Sequence, residues 1–174
     1  MQKEENVEQN NPLVLDIKLT AKDLWKFSMY HSYRGFQGIF SILFSAAALY
    51  ALATTWRTAT LPYRLLLVVC VLMFTVWQPF VLYMKAARQA KRSVIHDGMT
   101  LSISAEGIVV TQGQEKLELL WEDVVLVKRI GTMLIIYMDR IHAYLLPDTV
   151  TGEKTAELTA FIKENLPPER RKRI

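Results

Sequence analysis

Three histidines, one cysteine and two basic clusters are the residues of this chain with the means to catalyse, ligate or bind, and their spacing decides which of these is open to them. His96 is followed at once by Asp97, the nearest approach to a catalytic pair, but adjacent side chains rarely face each other. His31 and His142 lie far from it along the chain, so the histidines form no metal-ligand spacing. Cys70 is the single cysteine, which excludes an internal disulfide and a CxxC redox pair. It also falls in an apolar run, where burial disfavours the thiolate. The patterns GxGxxG, GxxxxGK(S/T), HExxH and GxSxG are all absent. These residues therefore lead to the expectation of a chain that is not an enzyme and holds no cofactor and no metal.

The basic residues suggest a surface instead. Lys85, Arg88, Lys91 and Arg92 follow an apolar run directly, and Arg170, Arg171, Lys172 and Arg173 stand near the other end. Both clusters suit nonspecific attraction to anionic lipid, worth about 1 kcal/mol per residue close to a bilayer surface. Between them, residues 93–166 carry six basic and eleven acidic side chains, a balance of about −5 that disfavours a polyanion site. Four terminal cations without interleaved aromatics give no reason to expect nucleic acid.

The elements that must position these groups are dominated by two uncharged apolar runs, residues 35–56 and 65–84, joined by a short connector at 57–64. At about 1.5 Å per helical residue each reaches about 30 Å, the thickness of a bilayer's hydrocarbon core. Helices apolar on nearly every face would need far more surrounding chain to be buried in a soluble protein. Lys22, Lys26, Arg34, Lys85, Arg88, Lys91 and Arg92 flank the outer ends of the pair, while the connector holds only Arg57 and Arg64; that asymmetry places both termini in the cytoplasm. Tyr33, Trp56, Tyr63 and Tyr83 are expected at the interfaces. Gly38, Ser41, Ser45 and Ala48 recur every three or four residues on one helical face, a surface for close packing against the second span or another copy. Pro79 is expected to loosen the last turns of the second span.

Outside the spans the periodicity changes. Residues 1–11 read as a disordered start, and residues 12–18 alternate as a short strand needing a sheet to join. Thr20 and Asp23 resemble a capping box opening a helix with Leu24, Phe27 and Tyr30 on one side, expected to lie along the inner leaflet up to Arg34. Residues 85–96 form a basic linker. Residues 97–166 then give short strands with close turns, at 101–103, 108–111, 116–121, 124–130, 132–138 and 141–146, an antiparallel meander closed by a helix over 152–166. Pro167-Pro168 ends that helix and leaves a basic tail, 167–174.

This order, strand, short amphipathic helix, two-span hairpin, basic stretch and small β domain with Glu106-Gly107-Ile108, Trp121, Leu146-Pro147 and a closing helix, resembles the YcxB-like proteins, small bacterial membrane proteins. Over about residues 13–166 the resemblance implies a C-terminal domain similar to a pleckstrin-homology-like half-barrel and a bacterial membrane location, and it carries no catalytic residue. The expected architecture is an α+β membrane protein: a transmembrane hairpin plus a cytoplasmic antiparallel β half-barrel capped by a helix, at the cell inner membrane. The expected function is a non-enzymatic, membrane-anchored interaction module. A lipid or small-ligand sensor and an oligomeric membrane component remain open as alternatives. Expected partners are membrane lipids and a protein, with self-association the further alternative; Glu115, Glu118 and the Asp139-Arg140 hairpin tip are the candidate contact residues.

Overall fold

The computed structural model describes residues 12–92, 95, 97–139 and 141–174; residues 1–11, where the sequence suggested a disordered start, and Ser93, Val94, His96 and Arg140 lie outside them. The chain divides into two compact units, Met1–Leu19 with Ser93–Ile174 and Thr20–Arg92, each taken over its described residues.

In the helical unit, α1 (Ala21–Arg34) opens on a complete capping box: Asp23 N donates to Thr20 Oγ1, and Thr20 N donates to Asp23 Oδ2 at 3.0 Å. Gly35 leaves helical geometry with ψ of 178°, and α2 (Phe36–Thr55) follows. The second long helix comprises α3 (Leu61–Leu72), a π-helical turn (Met73–Trp77) and α4 (Gln78–Ala90). Two of these helices, Phe36–Thr55 and the continuous Leu61–Ala90, are long and apolar enough to cross a membrane. The second begins four residues before the run expected at 65–84 and continues through much of the expected linker, because residues 85–90 are good helix formers with no breaker among them.

Pro79 explains the π-helical turn. It has no N–H to donate, and its ring crowds the preceding turn of carbonyls. Widening to i→i+5 bonding relieves the crowding, as in the bond from Gln78 N to Met73 O, but leaves Phe74 O without a proline donor. The Tyr33 hydroxyl supplies one at 2.8 Å. Trp25 Nε1 donates to Pro79 O at 3.1 Å, and Gln78 Nε2 donates to Ser32 Oγ at 3.0 Å. Helix α1 thus packs lengthwise against α4, whereas the sequence suggested a separate helix lying along a leaflet. Its apolar stripe is used there: Leu24 is buried and Phe27 and Tyr30 are half-buried.

The other unit contains two four-stranded sheets. The first runs in the order β1 (Leu13–Ile17), β2 (Met99–Ile103), β3 (Gly107–Gln112), β4 (Glu115–Leu120), antiparallel throughout. The second has the order β7 (Ala143–Pro147), β6 (Met133–Tyr137), β5 (Leu126–Ile130), β8 (Arg171–Lys172), the last pair parallel. Strand β1 alternates as its sequence does, with Leu13, Leu15 and Ile17 buried and Val14 and Asp16 exposed, and it pairs with β2 although the whole helical unit separates them in the chain. Two-residue turns led by Gly113 and Gly131, with φ of 59° and 55°, close the β3–β4 and β5–β6 hairpins.

The expected continuous meander breaks between β4 and β5. Trp121 is not on a strand but in a 3₁₀ turn, Trp121–Asp123, where its ring enters the core and its Nε1 donates to Ser104 O at 2.9 Å. Asp123 Oδ2 accepts from Leu120 N and fixes that turn. The two sheets and the closing helix share one core, in which Leu15, Leu101, Ile108, Val127, Ile136 and Leu146 meet Leu158 and Ile162. The closing segment starts earlier than expected: α5 (Asp148–Thr151) and a 3₁₀ turn lead into α6 (Thr155–Asn165). Among the described residues no closed barrel forms.

The basic tail folds against its own domain. It adds β8 beside β5, Arg170 Nη1 donates to Glu122 O and Val124 O, Arg171 Nη1 donates to Lys163 O, and Ile174 packs against the core. These bonds use two of its four cations on carbonyl groups of its own domain.

Candidate interaction surfaces

His31 meets Phe27 edge to face on α1, ring centroids 4.5 Å apart, and Cys70 is half-buried in α3. Among the described residues no group of three His, Cys, Asp or Glu side chains is placed to hold a metal ion. One pair that sequence reasoning overlooked does meet. His142 Nδ1 lies 2.7 Å from Asp139 Oδ2 at the β6–β7 hairpin tip, an i,i+3 spacing that could have drawn attention to it. Asp139 Oδ1 also accepts from the amides of Ile141 and His142 at 2.6 Å each. These bonds to His142 and to the two amides hold its carboxyl down at about 2, below the ordinary 3.8. The carboxylate therefore staples its own loop. Both side chains are more than half exposed.

The small-residue face of α2 is turned inward. Gly38, Ser41 and Ala48 are buried and Ser45 is half-buried, while Phe36, Ile39, Phe40 and Leu43 are exposed. A Cβ on Gly38 would lie 2.3 Å from Tyr33 O, so the turn from α1 into α2 requires glycine there. Ser41 Oγ donates to Gln37 O at 2.7 Å, satisfying the hydroxyl within its own helix. Lys85 and Arg88 are exposed along α4, Lys91 is its C-cap, and exposed Arg92 follows.

Among the described residues, β4 stands at the edge of the first sheet with no strand beyond it, as β7 does in the second. The opposite edge of the first sheet, β1, is guarded: Lys154 Nζ donates to Val14 O at 2.8 Å and α5 packs beside it. Every residue of β4 except Leu119 is exposed, including Leu117 and Leu120, each at 52%. Leu117 pairs with Val110, a core residue, and so lies on the core side of the sheet but beyond its cover. In the two-residue hairpin, Gln112 and Glu115 are the turn-closing, hydrogen-bonded pair. Alternation then turns the main-chain groups of Lys116 and Glu118 away from β3. Leu120 N points the same way, as its bond to Asp123 attests.

Gly107 makes this hairpin possible through space rather than through a turn's φ, since a Cβ there would lie 2.3 Å from Leu119 O. Of the acidic contact candidates, Glu118 is bonded by Lys116 Nζ at 2.8 Å, which lowers its carboxyl below the ordinary range, and Glu115 is exposed at the strand start. With these surfaces in view, no known family, curated protein or solved structure matches the chain.

Proposed function

We propose that this chain is a non-enzymatic interaction module: a pleckstrin-homology-like half-barrel of the YcxB-like kind, held at the bacterial inner membrane by a two-helix hairpin with both termini in the cytoplasm, which takes an extended protein segment onto the free edge of β4. The observation that carries this reading is the asymmetry of the first sheet. One edge is guarded by Lys154 and α5, and the other leaves Lys116 and Glu118 with outward main-chain groups beside uncovered Leu117 and Leu120. An unguarded edge accepts a strand by main-chain hydrogen bonding, while side-chain matches confer choice. The favoured segment carries an apolar residue to cover Leu117 and a basic residue to meet Glu118, in keeping with the acidic balance of residues 93–166. Two sheets on one core with a closing helix support the half-barrel likeness, and the two apolar helices with their flanking cations support the membrane placement.

The test is site-specific photocrosslinking in intact membranes with the reactive group at Lys116 or at Ala143 of β7, comparing the wild type with Glu118→Pro. Proline at 118 removes an outward N–H without touching the β3 ladder. The expected result is one dominant crosslinked protein at position 116, absent at 143 and lost in Glu118→Pro. Equal crosslinking of the variant would exclude strand addition at this edge.

A further inference from the structure

We infer that the segment received by the free edge of β4 is β4 of a second copy of this chain, the two strands running antiparallel about a two-fold axis at Leu117. The inference rests on the strand-addition reading and names its partner. A strand added here must set its own outward main-chain groups against those of Lys116 and Glu118, because alternate residues of an antiparallel pair carry the bonds. For β4 against itself that leaves few registers, and charge separates them. Lys116 opposite Lys116, or Glu118 opposite Glu118, puts like charges face to face. Shifts beyond these run out of strand, into the turn at Gln114 or onto Leu120, whose N–H already donates to Asp123 Oδ2 at 3.0 Å. The remaining register sets Lys116 of each copy opposite Glu118 of the other and Leu117 opposite Leu117, a self-complementary contact of the kind a two-fold dimer requires.

The side chains fit that register. Lys116 and Glu118 are bonded to each other within one strand at 2.8 Å and remain 59% and 70% exposed, so both charges stand at the surface. Across the axis each meets its opposite on the other copy, closing a ring of alternating charges. Leu117, 52% exposed on the core side of the sheet, meets its counterpart at a non-hydrogen-bonded pair, where side chains come closest. The edge thus supplies what it asks of a partner, an apolar residue over Leu117 and a cation at Glu118. The open edge of the second sheet lacks this: β7 carries no charge to fix a register and ends in Pro147. The ladder is short, stopped at Leu120 by its cap, and the proposed anchor favours it by holding the copies at one bilayer.

The test uses full-length protein in isolated membranes, in a Cys70→Ser background so that an introduced cysteine is the only thiol. Leu117→Cys should form a disulfide dimer under mild oxidation, because directly opposed residues of such a pair bring their Cα atoms to about 4.5 Å, within disulfide range. Thr111→Cys, exposed on β3, should give about tenfold less dimer, since the intervening strands hold its two copies at least about 14 Å apart. Charge exchange then tests the register. Added to Leu117→Cys, Lys116→Glu alone and Glu118→Lys alone should each lower the dimer about tenfold, and coexpressing the two under different tags should restore a mixed dimer, since glutamates at 116 and 118 of one copy face lysines of the other. Equal crosslinking at 111 and 117, or mixed dimers no more abundant than either homodimer, would overturn the inference. A photocrosslink from position 116 to a different protein would overturn it while leaving strand addition at β4 standing, whereas no crosslink from that position to any protein would remove both.

Discussion

Tyr33 and Pro79 show how a single residue pair can decide whether a helix is tolerable in an apolar medium. Proline removes a donor, the π-helical turn shifts the loss to Phe74 O, and a hydroxyl 41 residues away in sequence repairs it. Tyr33→Phe should lower the stability of the helical unit by about 1–3 kcal/mol, the cost of leaving a buried acceptor bare. In a Pro79→Ala background the restored N–H should make the same change nearly silent, read by detergent unfolding as a double-mutant cycle. Equal cost in both backgrounds would mean the hydroxyl serves something other than the proline gap. Sequence showed the proline but not its remedy, because nothing local to either residue points to the other. At the hairpin tip the relevant residue is Asp139. Its folded-state carboxyl is depressed to about 2, so the stability it gives the loop is complete above the ordinary value of 3.8 and is lost as pH falls toward 2. The amide signals of Ile141 and His142 should follow that titration with a midpoint near 2, and a midpoint near 4 would show that the staple does not form in solution.

Among elements, β1 was readable and its importance follows from its place. Alternating Leu13, Leu15 and Ile17 predict a half-buried strand, and the structure pairs all five residues with β2. Leu15 is 2% exposed and belongs to the shared core, so Leu15→Ala should destabilise the β domain by about 2–5 kcal/mol, measured by urea unfolding. A cost below 1 kcal/mol would place β1 outside the cooperative core. Strand β4 was also located, yet its break from β5 was not, because residues 116–121 alternate through Trp121 and alternation alone cannot separate a strand's end from a 3₁₀ turn. The bond from Leu120 N to Asp123 that ends the strand is a local cap of a kind a sequence rarely advertises. The same limit explains α1: its capping box and stripe were legible, but whether a stripe meets lipid or another helix depends on partners such as Pro79 O, distant in the chain.

For the whole molecule, the order of pairing constrains topology more strongly than charge does. The helical unit is inserted between β1 and β2, and those strands pair over all five residues, from Leu13 with Ile103 to Ile17 with Met99. Strands can pair only within one compartment, so a chain that crosses the membrane between them must cross an even number of times. Two helices of sufficient length satisfy this, and the count of seven flanking cations against two in the connector is the support for the proposed cytoplasmic placement of the termini. A reporter active only outside the cytoplasm should therefore work when inserted in the connector at Thr58 and be silent when fused after Leu166. Activity at both sites would put the connector and the β domain on one side: with one helix spanning that would part β1 from β2, and with neither spanning it would remove the anchor. Silence at Thr58 with activity after Leu166 would keep the ladder but invert the protein, moving the free edge of β4 and any partner it takes to the far side of the membrane.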